Sequence, residues 1–175
     1  MPMTQPGAGL VRRATPDDAA VLVALRAQMM ADMGRTTDDT EWRVAAERWF
    51  AEHLRPTSTE AAAFVVDDPE LGVVACALGL CDRHVPSPGN VSGLRGHVSS
   101  VSTDPRRRRR GHARACLTAL LRWFREETGA PMVTLTATET GIELYRSLGF
   151  VEHRYPSLRL RMAGAAQPPV GAETG

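Results

Sequence analysis

SSVSTDPRRRRRGHA, residues 99–113, reads as a strand that stops at a Pro-containing turn, an arginine-rich loop closed by Gly111, and the first turn of a helix. The first backbone N–H groups of a helix have no partner within it and lie at the positive end of its dipole. A phosphate or carboxylate is therefore favoured there. The arginines at 106–110 add charge that no cellular pH removes. A basic run alone also fits a solvated loop or a nucleic-acid patch. Its place directly before a glycine-led helix points instead to a loop that holds a polyanion.

The spacing Arg108-x-x-Gly111-x-Ala113 puts small residues where a backbone must approach a bulky ligand closely. The chain has no Gly-x-x-x-x-Gly-Lys-Ser/Thr loop and no lysine at all, and no Gly-x-Gly-x-x-Gly follows a strand. Nucleoside triphosphate hydrolysis and dinucleotide binding are disfavoured.

A chain of 175 residues holds one domain with a proper core. It is expected over 10–162, after a flexible start (1–9) and before a disordered Ala/Gly/Pro-rich tail (163–175). A hydrophobic content of 43% is ordinary for a globular protein, and no apolar run is long enough to span a bilayer. With no leader-like start, the expected location is cytoplasmic and no membrane partner is expected. The net charge of +1 argues against a general polyanion binder, so no nucleic-acid partner is expected either. Cys76, Cys81 and Cys116 sit in apolar stretches without metal-type spacing. They read as buried small hydrophobes, and no metal is expected.

Outward from the central stretch, residues 10–13 read as a short strand. A helix capped at Thr15-Pro16 follows to about Met33, and a second runs from near Thr40 until Pro56 stops it. Runs 61–66 and 72–80 flank the turn signal Asp67-Asp68-Pro69-Glu70 and read as an antiparallel hairpin. Residues 82–95 form a long connection, and 97–103 a strand with serines where apolar residues are usual. The helix over 113–124 carries Cys116, Leu117, Leu120, Leu121 and Phe124 on one stripe. A strand at 132–136, a helix at 139–148 and a last strand from Phe150 to about Met162 complete the chain.

Arg108-x-x-Gly111-x-Ala113 after a strand ending Thr103-Asp104-Pro105, followed by Leu144-Tyr145-x-x-Leu148-Gly149-Phe150, resembles the GNAT superfamily of N-acetyltransferases. The resemblance covers about 10–162, with its diagnostic motifs in 98–150. It implies an α/β (α+β) fold with a mixed, mostly antiparallel central sheet of six to seven strands and about four flanking helices. It also implies acetyl-CoA as co-substrate, held at its pyrophosphate by Arg108, Arg109, Arg110, Gly111, His112, Ala113 and Arg114. The pantetheine arm would lie along Val101 and Thr103. Many relatives place an asparagine after the fifth strand; here the region reads Thr136-Ala137-Thr138-Glu139-Thr140, and Thr138 or a backbone group is left to take that contact.

Within this resemblance Tyr145 is the candidate acid for the departing thiolate, since a phenol with pKa ~10 is protonated at neutral pH. His97 and Glu139 are candidate bases, with a water chain as the alternative. The first two helices would wall the acceptor site, and Asp32, Asp38, Asp39 and Glu41 near their connection hint at a cationic amine. The implied activity is N-acetyl transfer to a primary amine of a small molecule or protein, by direct attack in a ternary complex. This is acyl transfer of a group other than aminoacyl. A non-catalytic acyl-CoA-binding or sensing domain is the alternative, and the resemblance leaves a homodimer open.

Overall fold

The computed structural model describes residues 10–36, 38–160 and 162, so the expected flexible start and tail lie outside the described residues. Five strands form one sheet in the order β1 (Leu10–Arg13), β2 (Ala61–Asp68), β3 (Gly72–Arg83), β4 (Leu94–Thr103) and β5 (Val133–Thr134). The first four pair antiparallel and β5 joins β4 in parallel. Helices α1 (Ala19–Asp32) and α2 (Glu41–His53) pack on one face. The other face carries α3 (His112–Trp123), with residues of α4 (Ile142–Ser147) beside it.

Both faces being covered explains why β2 and β3 are continuous apolar runs instead of alternating ones. Thr15 opens the turn into α1, with the Asp18 carboxylate accepting from the Thr15 N–H at 2.8 Å and from Arg12 at 2.7 and 2.9 Å. Arg12 holds the Asp18 carboxyl below its ordinary pKa.

The stripe expected on α3 is buried: Cys116, Leu117 and Leu120 are fully enclosed. Trp123 and Phe124 are enclosed as well, because the helix widens into one π-turn at Phe124–Thr128 before Gly129 ends it in the left-handed region. Two glycines let α3 settle this close to the sheet. A Cβ on Gly79 would stand 2.6 Å from the Phe124 ring, and one on Gly96 2.7 Å from it. Gly79→Ala is therefore expected to destabilise the fold by about 1–3 kcal/mol, read as a lower urea midpoint at unchanged slope.

The three cysteines are free and buried, Cys76 facing α1 and α2 while Cys81 faces α3. Burial pushes the Cys76 thiol up to about 12, which keeps it protonated and inert.

Three expectations about the second half need correction. The strand expected at 132–136 is a two-residue ladder, Val133–Thr134. The helix expected at 139–148 is Ile142–Ser147, preceded by a turn in which Thr138 O accepts from the Gly141 and Ile142 N–H groups. The last strand, from Phe150 to about Met162, does not form among the described residues, so the sheet has five strands and not six to seven. Because β5 ends at Thr134, it offers almost no edge for a further strand, and Pro156 removes a donor from the segment that would have paired. Leu158 and Leu160 are left 90% and 84% exposed. The connection expected over 82–95 shrinks to 84–93 because β3 and β4 are each longer than read.

Candidate active site

The site begins with a break in the sheet. β5 pairs with β4 only at Gly96 and His97, so beyond His97 the outer edge of β4 faces no strand among the described residues. The orientation of that edge follows from antiparallel alternation. Asp104 N donates to Val74 O at 2.7 Å and Ser102 lies opposite Cys76, so Val101 and Thr103 turn their N–H and C=O groups away from β3. Thr103 O already accepts from Arg108 Nε at 3.1 Å on that side.

Ser99 is an extra residue in β4. Leu78 lies opposite Ser100 and Gly79 opposite Val98, so the register skips Ser99 and a bulge forms. Val98 and Val101 therefore both pack against the α3 side. Ser100 instead accepts a hydrogen bond from Arg26 of α1. Ser102, opposite Cys76, shares that face, and its Oγ is buried with no partner among the described residues. This accounts for the serines that looked out of place in the sequence.

The open edge runs into the arginine loop. Gly111 caps α3 at φ +82°, and a Cβ there would meet nothing within 4 Å, so glycine is needed for its dihedral and the space above it is open. Arg109 also holds a positive φ, 62°, a costly conformation for a residue with a side chain, of the kind that clusters at functional loops. Within α3 the first backbone bond of this turn runs from Ala115 N to Gly111 O at 3.0 Å. The His112, Ala113 and Arg114 N–H groups are the unpaired donors of the helix start. The His112 ring is buried.

The loop's charges divide sharply. Arg106 pairs with Asp104, Arg107 with Asp68 and Glu70, and Arg108 with Asp32 at 2.5 Å. Asp68 and Asp104 are held down to about 2 by these guanidinium groups. Arg109 and Arg110 make no ion pair among the described residues, and they are the charges available to a ligand. Asp32, read from sequence as an acceptor-site acid, instead ties α1 to this loop.

Arg114 donates to Ser147 Oγ at 2.6 Å, which draws α4 against the start of α3. Tyr145, two residues before Ser147, packs edge-on against Phe150 with ring centres 6.0 Å apart. Its phenol makes no hydrogen bond among the described residues, and burial raises its pKa above the ordinary value. His97 lies on the opposite side of the sheet, where β4 and β5 are still paired, with Nδ1 3.3 Å from Thr134 Oγ1. Glu139 is exposed in the turn before α4 and does not stand at the helix start. Thr138 is also exposed, its Oγ1 3.2 Å from that of Thr140.

A cavity of about 260 Å³ opens between α1, α2 and the sheet, lined by Arg26, Ala46, Trp49, Leu78, Leu80 and Ser99. Trp49, partly buried against the core of this face, is part of its wall. Neither Asp32, Asp38, Asp39 nor Glu41 lines it.

The model of the Acetyltransferase (GNAT) family matches residues 25–150. The chain belongs to this family. Solved structures agree on the fold. A predicted acetyltransferase with acetyl-CoA from Clostridium acetobutylicum superposes with TM-score 0.74 at 21% identity, covering 86% of this chain and 95% of that one. A GCN5-related N-acetyltransferase from Ralstonia eutropha JMP134 gives 0.70 at 22% identity over 86% and 97%. Glucosamine-6-phosphate N-acetyltransferase from Arabidopsis thaliana gives 0.67 at 16% identity over 86% and 97%. A search of curated protein sequences finds no significant match. As a GNAT acetyltransferase the chain has its Arg108-x-x-Gly111-x-Ala113 loop at the start of α3 and its Tyr145 on the helix that α3 holds. Among the described residues no helix is long and apolar enough to cross a membrane.

Proposed function

We propose that the chain is an acetyl-CoA-dependent N-acetyltransferase acting on a primary amine by direct attack within a ternary complex. The observation that carries this reading is the unpaired β4 edge past His97, which leads directly into the unpaired amides at the start of α3. The diphosphate of acetyl-CoA would lie on the His112, Ala113 and Arg114 amides beside Arg109 and Arg110. The pantetheine would extend the sheet along Val101 and Thr103, and Thr138 would close its other side.

An outward N–H of β4 would stabilise the negative charge that develops on the thioester oxygen. As the amine nitrogen bonds to the carbonyl carbon, the carbon–sulfur bond breaks and Tyr145 gives its proton to the sulfur. For the amine's proton, His97 is the better placed of the two candidates. It lies opposite Leu80, on the face that holds the cavity, and Thr134 orients its ring. Glu139 has no comparable support.

Thiol release from acetyl-CoA with an amine panel tests the activity, and a thermal shift with coenzyme A tests the site. At a hundredfold excess over Kd, coenzyme A should stabilise the fold by about 2.7 kcal/mol, a rise of roughly 5–11 °C in Tm. Binding without thiol release from any amine would favour a sensing domain. A shift with an oligonucleotide and none with coenzyme A would overturn both readings.

A further inference from the structure

Arg26 is set in α1, half-buried, and donates a hydrogen bond to Ser100 Oγ of β4. No carboxylate among the described residues pairs with it, although Arg12, Arg13, Arg107 and Arg108 each have one. Burial and the nearby Arg35 both disfavour its charge. A guanidinium does not lose its proton in response, so the arrangement calls for an anion from outside the chain.

The surroundings specify what carries that anion. Arg26 shares its cavity with Ala46, Trp49, Phe50, Leu78 and Leu80, an apolar wall with a single cation. At about 260 Å³ the cavity is smaller than the ~300 Å³ lower end of drug-sized pockets, which suits a small metabolite. Ser100 lies between Ser99, which lines the cavity, and Val101, whose backbone faces the open edge. An anion on Arg26 is thus held within about one residue of the strand along which the thioester would be presented. The amine that attacks there must lie close to the substrate's own anionic group.

We propose that the acceptor is a small amine with an adjacent carboxylate and an apolar side chain, an apolar α-amino acid or a close analogue. Arg26 binds the carboxylate and the Trp49–Leu80 wall takes the side chain. This rests on the N-acetyltransferase reading and replaces the expectation of a cationic acceptor drawn from Asp32, Asp38, Asp39 and Glu41.

The test compares L-phenylalanine, L-leucine and L-methionine with phenylalaninamide and 2-phenylethylamine in the thiol-release assay. A charge-assisted bidentate contact predicts kcat/KM about 10- to 100-fold higher for the carboxylates. Arg26→Gln should erase that difference and Arg26→Lys restore part of it, with the coenzyme A thermal shift unchanged. A merely structural Arg26 would lower every amine alike. For the wild-type protein, 3-phenylpropanoate should bind at least tenfold tighter than 3-phenylpropanamide by calorimetry, a comparison that does not depend on any variant folding. Equal or better use of 2-phenylethylamine, or equal binding of acid and amide, overturns the assignment of Arg26 and leaves acetyl transfer standing. Absence of coenzyme A binding and of thiol release sinks the transferase reading, while the acid–amide comparison still decides Arg26.

Discussion

Gly111→Glu is expected to weaken coenzyme A binding by at least about a hundredfold while the protein still folds. Two effects are present, the first on stability and the second on binding. At φ +82° any side chain costs about 1–2 kcal/mol of backbone strain. A carboxylate placed beside the unpaired amides of α3 also repels an incoming phosphate. At 4–6 Å and an effective dielectric constant near 20 this repulsion amounts to roughly 3 kcal/mol. Because a Cβ at this position meets nothing within 4 Å, the added side chain collides with no part of the fold, and the loss should be one of binding. Gly111→Ala separates the effects, since it keeps only the strain, which is present with or without ligand. It should lower stability by about 1–2 kcal/mol and leave coenzyme A binding within a few-fold of wild type. Isothermal titration of coenzyme A measures both variants. Wild-type affinity in Gly111→Glu would mean that the cofactor is held elsewhere.

Tyr145→Phe is expected to lower kcat about a hundredfold, at the modest end of what a positioned acid contributes, with little change in KM for acetyl-CoA. The substitution keeps the ring that packs against Phe150, and the missing hydroxyl takes no structural hydrogen bond with it. The pH profile carries a second expectation. Burial raises the phenol's pKa, so its protonated form persists beyond the ordinary value near 10. Wild-type kcat should therefore show no fall from this group between about pH 7 and 9.5. An activity loss in that window shared by Tyr145→Phe belongs to another group. Full activity of the variant across the window would remove Tyr145 from the mechanism.

The parts of the fold legible in the sequence are those whose signal is local. The Cys116, Leu117 and Leu120 stripe announces α3 by its period, Thr15-Pro16 announces the entry to α1, and Gly111 announces the end of the arginine loop and the start of a helix. The C-terminal segment shows why pattern alone is not enough. Leu158 and Leu160 alternate as strand residues do, but a ladder needs a neighbour, and β5 stops at Thr134. The strand count was therefore overestimated from a pattern with no partner.

The candidate site divides in the same way. The anion loop could be read because a helix start, a glycine and arginines are contiguous. Arg26 was missed because a lone arginine on an amphipathic helix reads as solvent-facing, and only the packing of α1 on β4 turns it inward. The serine at 100 was the one available signal, a polar residue at a strand position that had to face something. Asp32 was misread for a related reason. Its partner Arg108 is remote in sequence, and ion pairs between distant elements leave no local spacing.

The single-residue bulge at Ser99 has a consequence for how this protein tolerates genetic change. Exchanging the serine for another amino acid alters one side chain, but excising its codon would restore unbroken alternation along β4. Val98 and Ser100 would then be neighbours opposite Gly79 and Leu78, so every later side chain keeps its face and only the local kink is lost. Loss of this one codon should therefore be tolerated about as often among functional descendants as its substitution, because the pairing of Ser100, Val101 and Ser102 with β3 does not depend on it.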